Sequence, residues 1–224
     1  WVYADMAILG LGAIDVPMYP SLTSANIEYI LNDSESIGVI VSNKFQLTKV
    51  LKIRNNCKSL KFIIVMNEGD IVTGEEGLYT FKDVQGRGRV YMNENPFHFK
   101  ENIRLCKEDD LCTIIYTSGT TGEPKGVMLT HYNILNNGKT ICDSMDFSTK
   151  DSLLICVPLF HCFGLVLAIL ASFTHASSMV IVEYFQPGKV LESIEKEKCT
   201  AMHGVPTMFI ACLEHPDFEK YYLF

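Results

Sequence analysis

The stretch LCTIIYTSGTTGEPKGVMLTH, residues 111–131, contains two short apolar segments separated by a loop of small residues. The apolar segments, residues 111–116 and 126–130, have the length and composition of buried strands. The loop between them offers four hydroxyl groups and two glycines, and a lysine follows it. This pattern predicts a strand, a loop that faces a ligand, and a second strand.

On both sides of this stretch, short apolar segments alternate with helical patterns. Strands are predicted at residues 38–43, 60–67, 111–116, 126–130, 153–157, 179–183 and 200–203. Helices are predicted at residues 2–11, 24–32, 45–55, 131–143, 163–173, 188–198 and 206–214. The alternation predicts an α/β fold of mainly parallel sheets flanked by helices. Ligands of such sheets bind beyond the carboxyl ends of the strands, which is where the hydroxyl-rich loop lies.

The apolar periodicity fades between residues 68 and 109, where glycines and charges are scattered. We therefore predict a first α/β part at residues 1–67, an irregular connection at 68–109 with one short helix near Phe81, and a second α/β part at 110–224.

The composition is that of an ordinary globular protein, with 48% hydrophobic and 20% charged residues. A net charge of −7 argues against nucleic acid or an anionic membrane as a partner. The apolar run at residues 163–173 is shorter than the roughly 20 residues that span a bilayer, so no transmembrane segment is predicted. Eight cysteines without a CxxC pair indicate free thiols in a reducing compartment, here the cytoplasm, and no metal site.

The loop has the chemistry of a polyphosphate site. Hydroxyl groups donate hydrogen bonds, glycines allow the backbone N–H groups to converge, and Lys125 adds a positive charge. A flexible surface turn is the simpler alternative. A Walker A loop does not fit, because Pro124 stands where its second glycine belongs, Gly126 follows the lysine, and a strand follows in place of a helix.

The segment YTSGTTGEPKGVMLTH resembles the phosphate-binding motif of the adenylate-forming superfamily, which includes acyl-CoA synthetases, aryl-CoA ligases, luciferases and peptide-synthetase adenylation domains. The resemblance covers nearly the whole chain. LGLGAIDVPMYPSLTSANIEYILNDSES is similar to the family's N-terminal stretch, VPLFHCFG to its aromatic segment with a histidine, and FQPGKVLESIEKEKCTAMHGVPTMFIACLEHPDF to the region that forms a wall of the acyl pocket. The last two segments most resemble fatty-acyl-CoA synthetases for medium to long chains.

The resemblance implies a two-step reaction. A carboxylate attacks the α-phosphate of ATP, with Mg²⁺, to give an acyl-adenylate and pyrophosphate, and coenzyme A then displaces AMP to form a thioester. The implied nucleotide-binding residues are those of the loop and its lysine: Thr117, Ser118, Gly119, Thr120, Thr121, Gly122 and Lys125. Lys125 is implied to act in catalysis by offsetting phosphate charge.

A second group of candidate residues follows two later strands. His161 stands between aromatic residues and is implied, by resemblance, to lie between the acyl and pantetheine channels; an ordinary core histidine is the alternative. Phe163 belongs to the same segment. The residues implied to line the acyl pocket are His203, Gly204, Val205, Pro206 and Thr207, although strand-to-helix packing explains them equally well. Cys162 beside His161 is not expected to be a nucleophile, because adjacent residues rarely present both side chains to one centre.

The family's adenine, ribose and Mg²⁺ motifs, and its small C-terminal domain with a catalytic lysine, are not found in these residues. The chain is therefore expected to be a fragment of one N-terminal domain and, by itself, unable to complete the reaction. Two other functions stay open: an adenylating enzyme with another carboxylate or acceptor, and a non-catalytic nucleotide-binding module.

Overall fold

The computed structural model describes residues 1–67, 69, 75–117 and 123–223. The chain divides into two compact units, the first comprising Trp1 and Tyr3–Leu129 and the second Val2 and Thr130–Phe224. The first unit carries α1 (Val2–Gly10), α2 (Ser24–Asp33), β1 (Gly38–Val41), α3 (Lys44–Leu51), β2 (Phe62–Val65), β3 (Leu78–Thr80), α4 (Phe81–Glu94), α5 (His98–Leu105), β4 (Leu111–Thr117) and most of β5 (Lys125–Thr130).

A parallel three-stranded sheet, in the order β1–β2–β3, forms the centre of the first unit. Its strands are short and their residues are largely buried, as the all-apolar sequence predicts. The α2 and α3 helices pack on it through a core of buried residues: Ile27, Leu31, Val39, Val41, Leu47, Val50, Ile53, Cys57, Leu60, Ile63, Val65 and Leu78. The N-cap of α2 is Thr23, whose side chain accepts from the Asn26 N–H.

The region predicted to be irregular, residues 68–109, contains β3 and two helices where it is described. The α4 helix begins with a reciprocal capping box between Thr80 and Asp83, and α5 lies against α1, where Phe99 approaches Gly10. A helix does begin at Phe81, as predicted, but it extends to Glu94 and a second helix follows. The sequence underestimated α4 because none of its residues is buried. A helix exposed on all faces shows no apolar periodicity, and Gly86 and Gly88 further mask it.

The neighbouring strands β4 and β5 form a separate two-stranded sheet at the site of the hydroxyl-rich motif. Early residues of β4 contact late residues of β5: Cys112 Sγ lies 3.4 Å from the Leu129 carbonyl oxygen. Later in β4, Ile114 and Tyr116 both approach Gly126. This opposite order of contacts is that of a hairpin, so the loop connects adjacent strand ends.

The second unit is built on another parallel sheet, in the order β7–β6–β8. Its elements are α6 (His131–Ser144), β6 (Ser152–Ile155), α7 (Cys162–Gly164), a π-helical segment (Leu165–Leu170), α8 (Ala171–His175), β7 (Ser178–Ile181), α9 (Pro187–Glu197), β8 (Ala201–His203) and α10 (Pro206–Leu213). One of its buried clusters comprises Leu154, Cys156, Val182, Val190, Leu191 and Cys212. The two parallel sheets confirm the predicted α/β class.

The apolar run at residues 163–173 is not the single α-helix that was predicted. It passes from α7 through the π-helical turn Leu165–Leu170 into α8, and most of the π-helical residues are buried. Within the described part of the chain, no helix combines the length and apolarity needed to cross a membrane.

Candidate active site

The hydroxyl-rich loop begins and ends on described strand residues. Thr117 is the exposed last residue of β4, and Lys125 is the exposed first residue of β5. Ser118, Gly119, Thr120, Thr121 and Gly122 lie outside the described residues. None of the ion pairs found between described side chains involves Lys125. Lys125 is thus an exposed cation that can meet an anionic ligand of the loop.

Tyr116 anchors the start of this loop to a distant part of the first unit. It is buried, and its hydroxyl group donates to Asp33 Oδ2 at 2.6 Å, across 83 residues of sequence. The edge of the Tyr29 ring meets the Tyr116 ring, with centroids 6.3 Å apart and planes at 87°. Burial, followed by the hydrogen bond and charge of Asp33, raises the pKa of Tyr116, so the phenol keeps its proton and stays a donor.

His161 caps the N-terminus of α7 with its own ring. Its Nδ1 accepts a hydrogen bond from the Phe163 N–H at 3.1 Å, which leaves Nε2 to carry the hydrogen of the neutral ring. Cys162 Sγ lies 3.6 Å from the same Nδ1. Because Nδ1 is already occupied by a backbone donor, the ring is poorly placed to take a proton from the thiol. The ring is exposed, so the alternative of a core histidine does not hold in this chain.

His203 ends β8 and lies beside Phe163, with ring centroids 5.7 Å apart. Partial burial lowers the pKa of His203, and a hydrogen bond to the Leu167 backbone opposes that shift only in part. Leu167 belongs to the π-helical segment, where the shifted hydrogen-bond pattern changes which carbonyl groups are available. His203 is thus held as a neutral ring next to Phe163.

The residues after His203 form the start of α10. Gly204 lies between two side chains, since a Cβ there would be 3.2 Å from Met202 Cε and 3.3 Å from Phe209 Cε2. Val205 is the N-cap and Pro206 the first helical residue, and both are exposed, as is Thr207. Val205, Phe209 and Leu213 recur at intervals of four, and each leaves 41–64% of its surface exposed. This apolar stripe is a surface that a hydrocarbon chain can contact.

The comparisons with known proteins agree with this arrangement. The family model of the AMP-binding enzymes matches residues 1–223. The chain belongs to the AMP-binding enzyme family. The acyl-CoA ligase SID4 of Ajellomyces capsulatus is 37% identical over 97% of this chain and 38% of its own length. The mitochondrial medium-chain acyl-CoA ligase ACSF2 of Mus musculus is 29% identical over 99% of this chain and 38% of its own.

A solved structure shows the same architecture. The anthranilate CoA ligase AuaEII, in complex with anthranoyl-AMP, superposes with a TM-score of 0.78 at 26% identity. The match covers 100% of this chain and 41% of that one. The chain therefore spans about two fifths of the length of these AMP-binding relatives.

The described residues contain no group of three His, Cys, Asp or Glu side chains that could hold a metal ion. The eight cysteines are all free, as predicted.

Two features of the first unit were not predicted from sequence. Tyr116 was part of the motif but had no predicted role, and nothing in the sequence connects it with Asp33. The buried Asp5 and the half-buried Asp15 form a carboxyl pair in which one proton can be shared as a hydrogen bond. Among the described residues, no other group partners either Asp5 oxygen or Asp15 Oδ2. The signal for this pair was a lone aspartate within the apolar run of α1.

Proposed function

We propose that the chain is the phosphate- and acyl-binding part of an ATP-dependent acyl-CoA ligase that releases AMP and pyrophosphate. The observation that carries the proposal is the loop of this AMP-binding chain, which ends at an exposed Lys125 with no ion-pair partner among the described side chains. Magnesium arrives with ATP, and coenzyme A is the second substrate. The relatives named as acyl-CoA ligases support the same reaction class.

In the first step, a carboxylate oxygen attacks the α-phosphorus of ATP, the bond to the β-phosphate oxygen breaks, and pyrophosphate leaves. Thr117, Ser118, Gly119, Thr120, Thr121 and Gly122 form the proposed cradle of the β- and γ-phosphates. Lys125 offsets the charge that develops on the leaving pyrophosphate. Such a site acts by positioning and electrostatics, with no covalent role for the protein.

In the second step, the thiol of coenzyme A releases its proton to solvent and its sulfur attacks the acyl carbon. The bond from that carbon to the phosphate oxygen breaks, and AMP leaves. We place His161 at the entry of the thiol, where its exposed Nε2–H can donate to substrate while Nδ1 holds the Phe163 N–H. The neutral His203 ring, Phe163 and the apolar stripe of α10 form the proposed contacts with the acyl group, together with Gly204, Val205, Pro206 and Thr207. An apolar stripe favours a medium- or long-chain fatty acid, hence a role in lipid metabolism.

The structural comparison favours a second substrate class, the aromatic carboxylates. The chain superposes over its whole length on an anthranilate CoA ligase, and the paired rings of Phe163 and His203 can pack against an aromatic carboxylate. We propose a cytoplasmic location because the cysteines are free. The related ligase ACSF2 of Mus musculus is, by contrast, mitochondrial.

The test is carboxylate-dependent exchange of pyrophosphate into ATP, measured for the complete gene product and for this chain side by side. A series from decanoate to palmitate is compared with anthranilate and benzoate. Exchange by the complete product with fatty acids supports the first proposal, and exchange with the aryl acids alone selects the second. Exchange with neither class would contradict both.

A further inference from the structure

We propose that Tyr116 and Asp33 position the phosphate loop and Lys125 for adenylation, an inference that rests on the proposed function. Tyr116 is the last buried residue before the loop, and the next residue, Thr117, is exposed. Any constraint on the Tyr116 side chain therefore acts directly on the backbone from which the loop starts.

The hydrogen bond from Tyr116 to Asp33 is suited to this role. Its length of 2.6 Å is that of a hydroxyl group donating to a charged carboxylate, which is stronger than a bond between neutral groups. Asp33 is the last residue of α2, whose face toward the sheet is buried in the core of the first unit. The start of the loop, at Thr117, is thus tied to α2.

The same ring also contacts the other end of the loop. A Cβ on Gly126 would lie 3.2 Å from Tyr116 Cζ, 3.4 Å from its Oη and 2.7 Å from Ile114 Cγ2. Only glycine allows β5 to approach the Tyr116 ring this closely, and the residue before it is Lys125. A shift of the ring would therefore move the backbone that carries the lysine.

Tyr29 of α2 is the third member of this arrangement. Partial burial and the negative charges of Asp33 and Glu123 raise the pKa of Tyr29. The ring of Tyr29 in turn holds the Tyr116 ring at its edge. Tyr29, Asp33 and Tyr116 form a cluster, here called the loop anchor, that touches both ends of the phosphate loop.

The expected consequence of losing the anchor is misplacement of the loop while the rest of the unit stays folded. Displacing a charged group by about 1 Å can reduce a reaction rate about 100-fold, and loss of a single hydrogen bond leaves part of the position intact. We expect Tyr116→Phe to lower kcat/KM for ATP about 10-fold, with most of the change in KM.

The experiment uses the complete gene product and carboxylate-dependent pyrophosphate exchange at varied MgATP. The variants are Tyr116→Phe, Asp33→Ala, Asp33→Asn and the double variant Tyr116→Phe/Asp33→Ala. Asp33→Ala should match Tyr116→Phe, the double variant should be no worse than either single one, and Asp33→Asn should regain activity because it keeps an acceptor oxygen. Asp33 is exposed, so its variants test the inference even where Tyr116→Phe is recovered unfolded.

Tyr91→Phe is the matched control. This substitution also removes a hydroxyl hydrogen bond, the one of 2.7 Å between Tyr91 and His98 Nδ1. Tyr91 belongs to α4, however, and is not part of the loop anchor. It should keep the wild-type KM for ATP. A purely structural role of the anchor would lower the melting temperature and kcat and leave KM unchanged, which would overturn the inference.

A second readout does not depend on turnover. Trypsin cleaves after Lys125, and bound MgATP should protect that bond in the wild type, measured by mass spectrometry. The anchor variants should need about tenfold more MgATP for the same protection. Suppose that the wild type is active and that the anchor variants are fully protected at the MgATP concentrations that protect the wild type. That result would overturn the inference and leave the proposed function standing. A wild type that neither exchanges pyrophosphate nor is protected would overturn both.

Discussion

At the scale of single residues, Lys125 is the side chain on which the proposed chemistry most depends. Replacing Lys125 by alanine removes the charge that balances the leaving pyrophosphate, so exchange should slow about 100-fold, the effect of losing one preorganised electrostatic group. Lys58→Ala, an equally exposed lysine of the same unit, is the control and should keep wild-type exchange. Equal rates for the two variants would remove Lys125 from the mechanism.

His161 should affect the second step more than the first. In His161→Ala, thioester formation from preformed acyl-adenylate should fall about tenfold, because the ring that orients the incoming thiol is lost. Pyrophosphate exchange should change less. His98→Ala, an exposed histidine of α5, is the control. A wild-type rate of thioester formation in His161→Ala would contradict the role given to this residue.

At the scale of elements, replacing a helical glycine by alanine should have opposite effects on stability at two positions, Gly138 and Gly88. A Cβ on Gly138 of α6 would lie 3.0 Å from the Ala171 backbone nitrogen and 3.2 Å from the Val166 carbonyl oxygen. These are backbone atoms that cannot rotate away, so Gly138→Ala should destabilise the protein by about 1–3 kcal/mol.

Gly88 of α4 provides the matched comparison, since a Cβ there meets nothing within 4 Å. Gly88→Ala should raise the free energy of unfolding by about 0.4–1 kcal/mol, because it removes freedom from the unfolded chain and favours the helix. Urea unfolding of both variants measures the difference. The same sign for both would show that the close packing of α6 on the π-helical segment and α8 does not determine the effect.

At the scale of the whole molecule, the buried pair Asp5 and Asp15 should make stability depend on pH. Burial, followed by the charge of Asp15, raises the pKa of Asp5 to about 8, and the N-terminal ammonium opposes this in part. Burial also raises the pKa of Asp15. In the unfolded chain both carboxyl groups titrate near pH 4. Between these values the folded state binds more protons, so stability is full below about pH 4 and is lost as the pH rises through about 8.

The measurement is the urea midpoint at pH 6, 7 and 8. The midpoint should fall with rising pH, because the free energy of unfolding should fall by up to about 1.4 kcal/mol per pH unit for one proton. Asp5→Asn removes this titration and should flatten the dependence, whereas Asp109→Asn, an exposed loop residue, should leave it unchanged. A midpoint that rises from pH 6 to 8 would contradict the raised pKa of Asp5.

The sequence was sufficient to predict the parallel α/β class and most strands and helices of both units. The signals were short apolar strands and helical spacing, which follow from burial of one face or of a whole element. The predicted division at residues 68–109 stays a prediction, and so do the roles of the site residues. The motif at residues 111–131 was enough to predict the two strands that the structure shows. Its hydroxyls, glycines and lysine are adjacent in the chain, and their binding of phosphate stays a prediction.

Only the tertiary structure revealed the full length of α4, the α5 helix, the π-helical turn and the loop anchor. An exposed helix carries no apolar pattern, and a π-helical turn differs from an α-helix in its hydrogen bonds and not in its composition. Tyr116 and Asp33 are 83 residues apart, as Asp5 and Asp15 belong to different segments. Sequence patterns report the local periodicity of burial. Contacts between distant residues depend on how the elements pack, and this is why the anchor and the carboxyl pair appeared only in the folded chain.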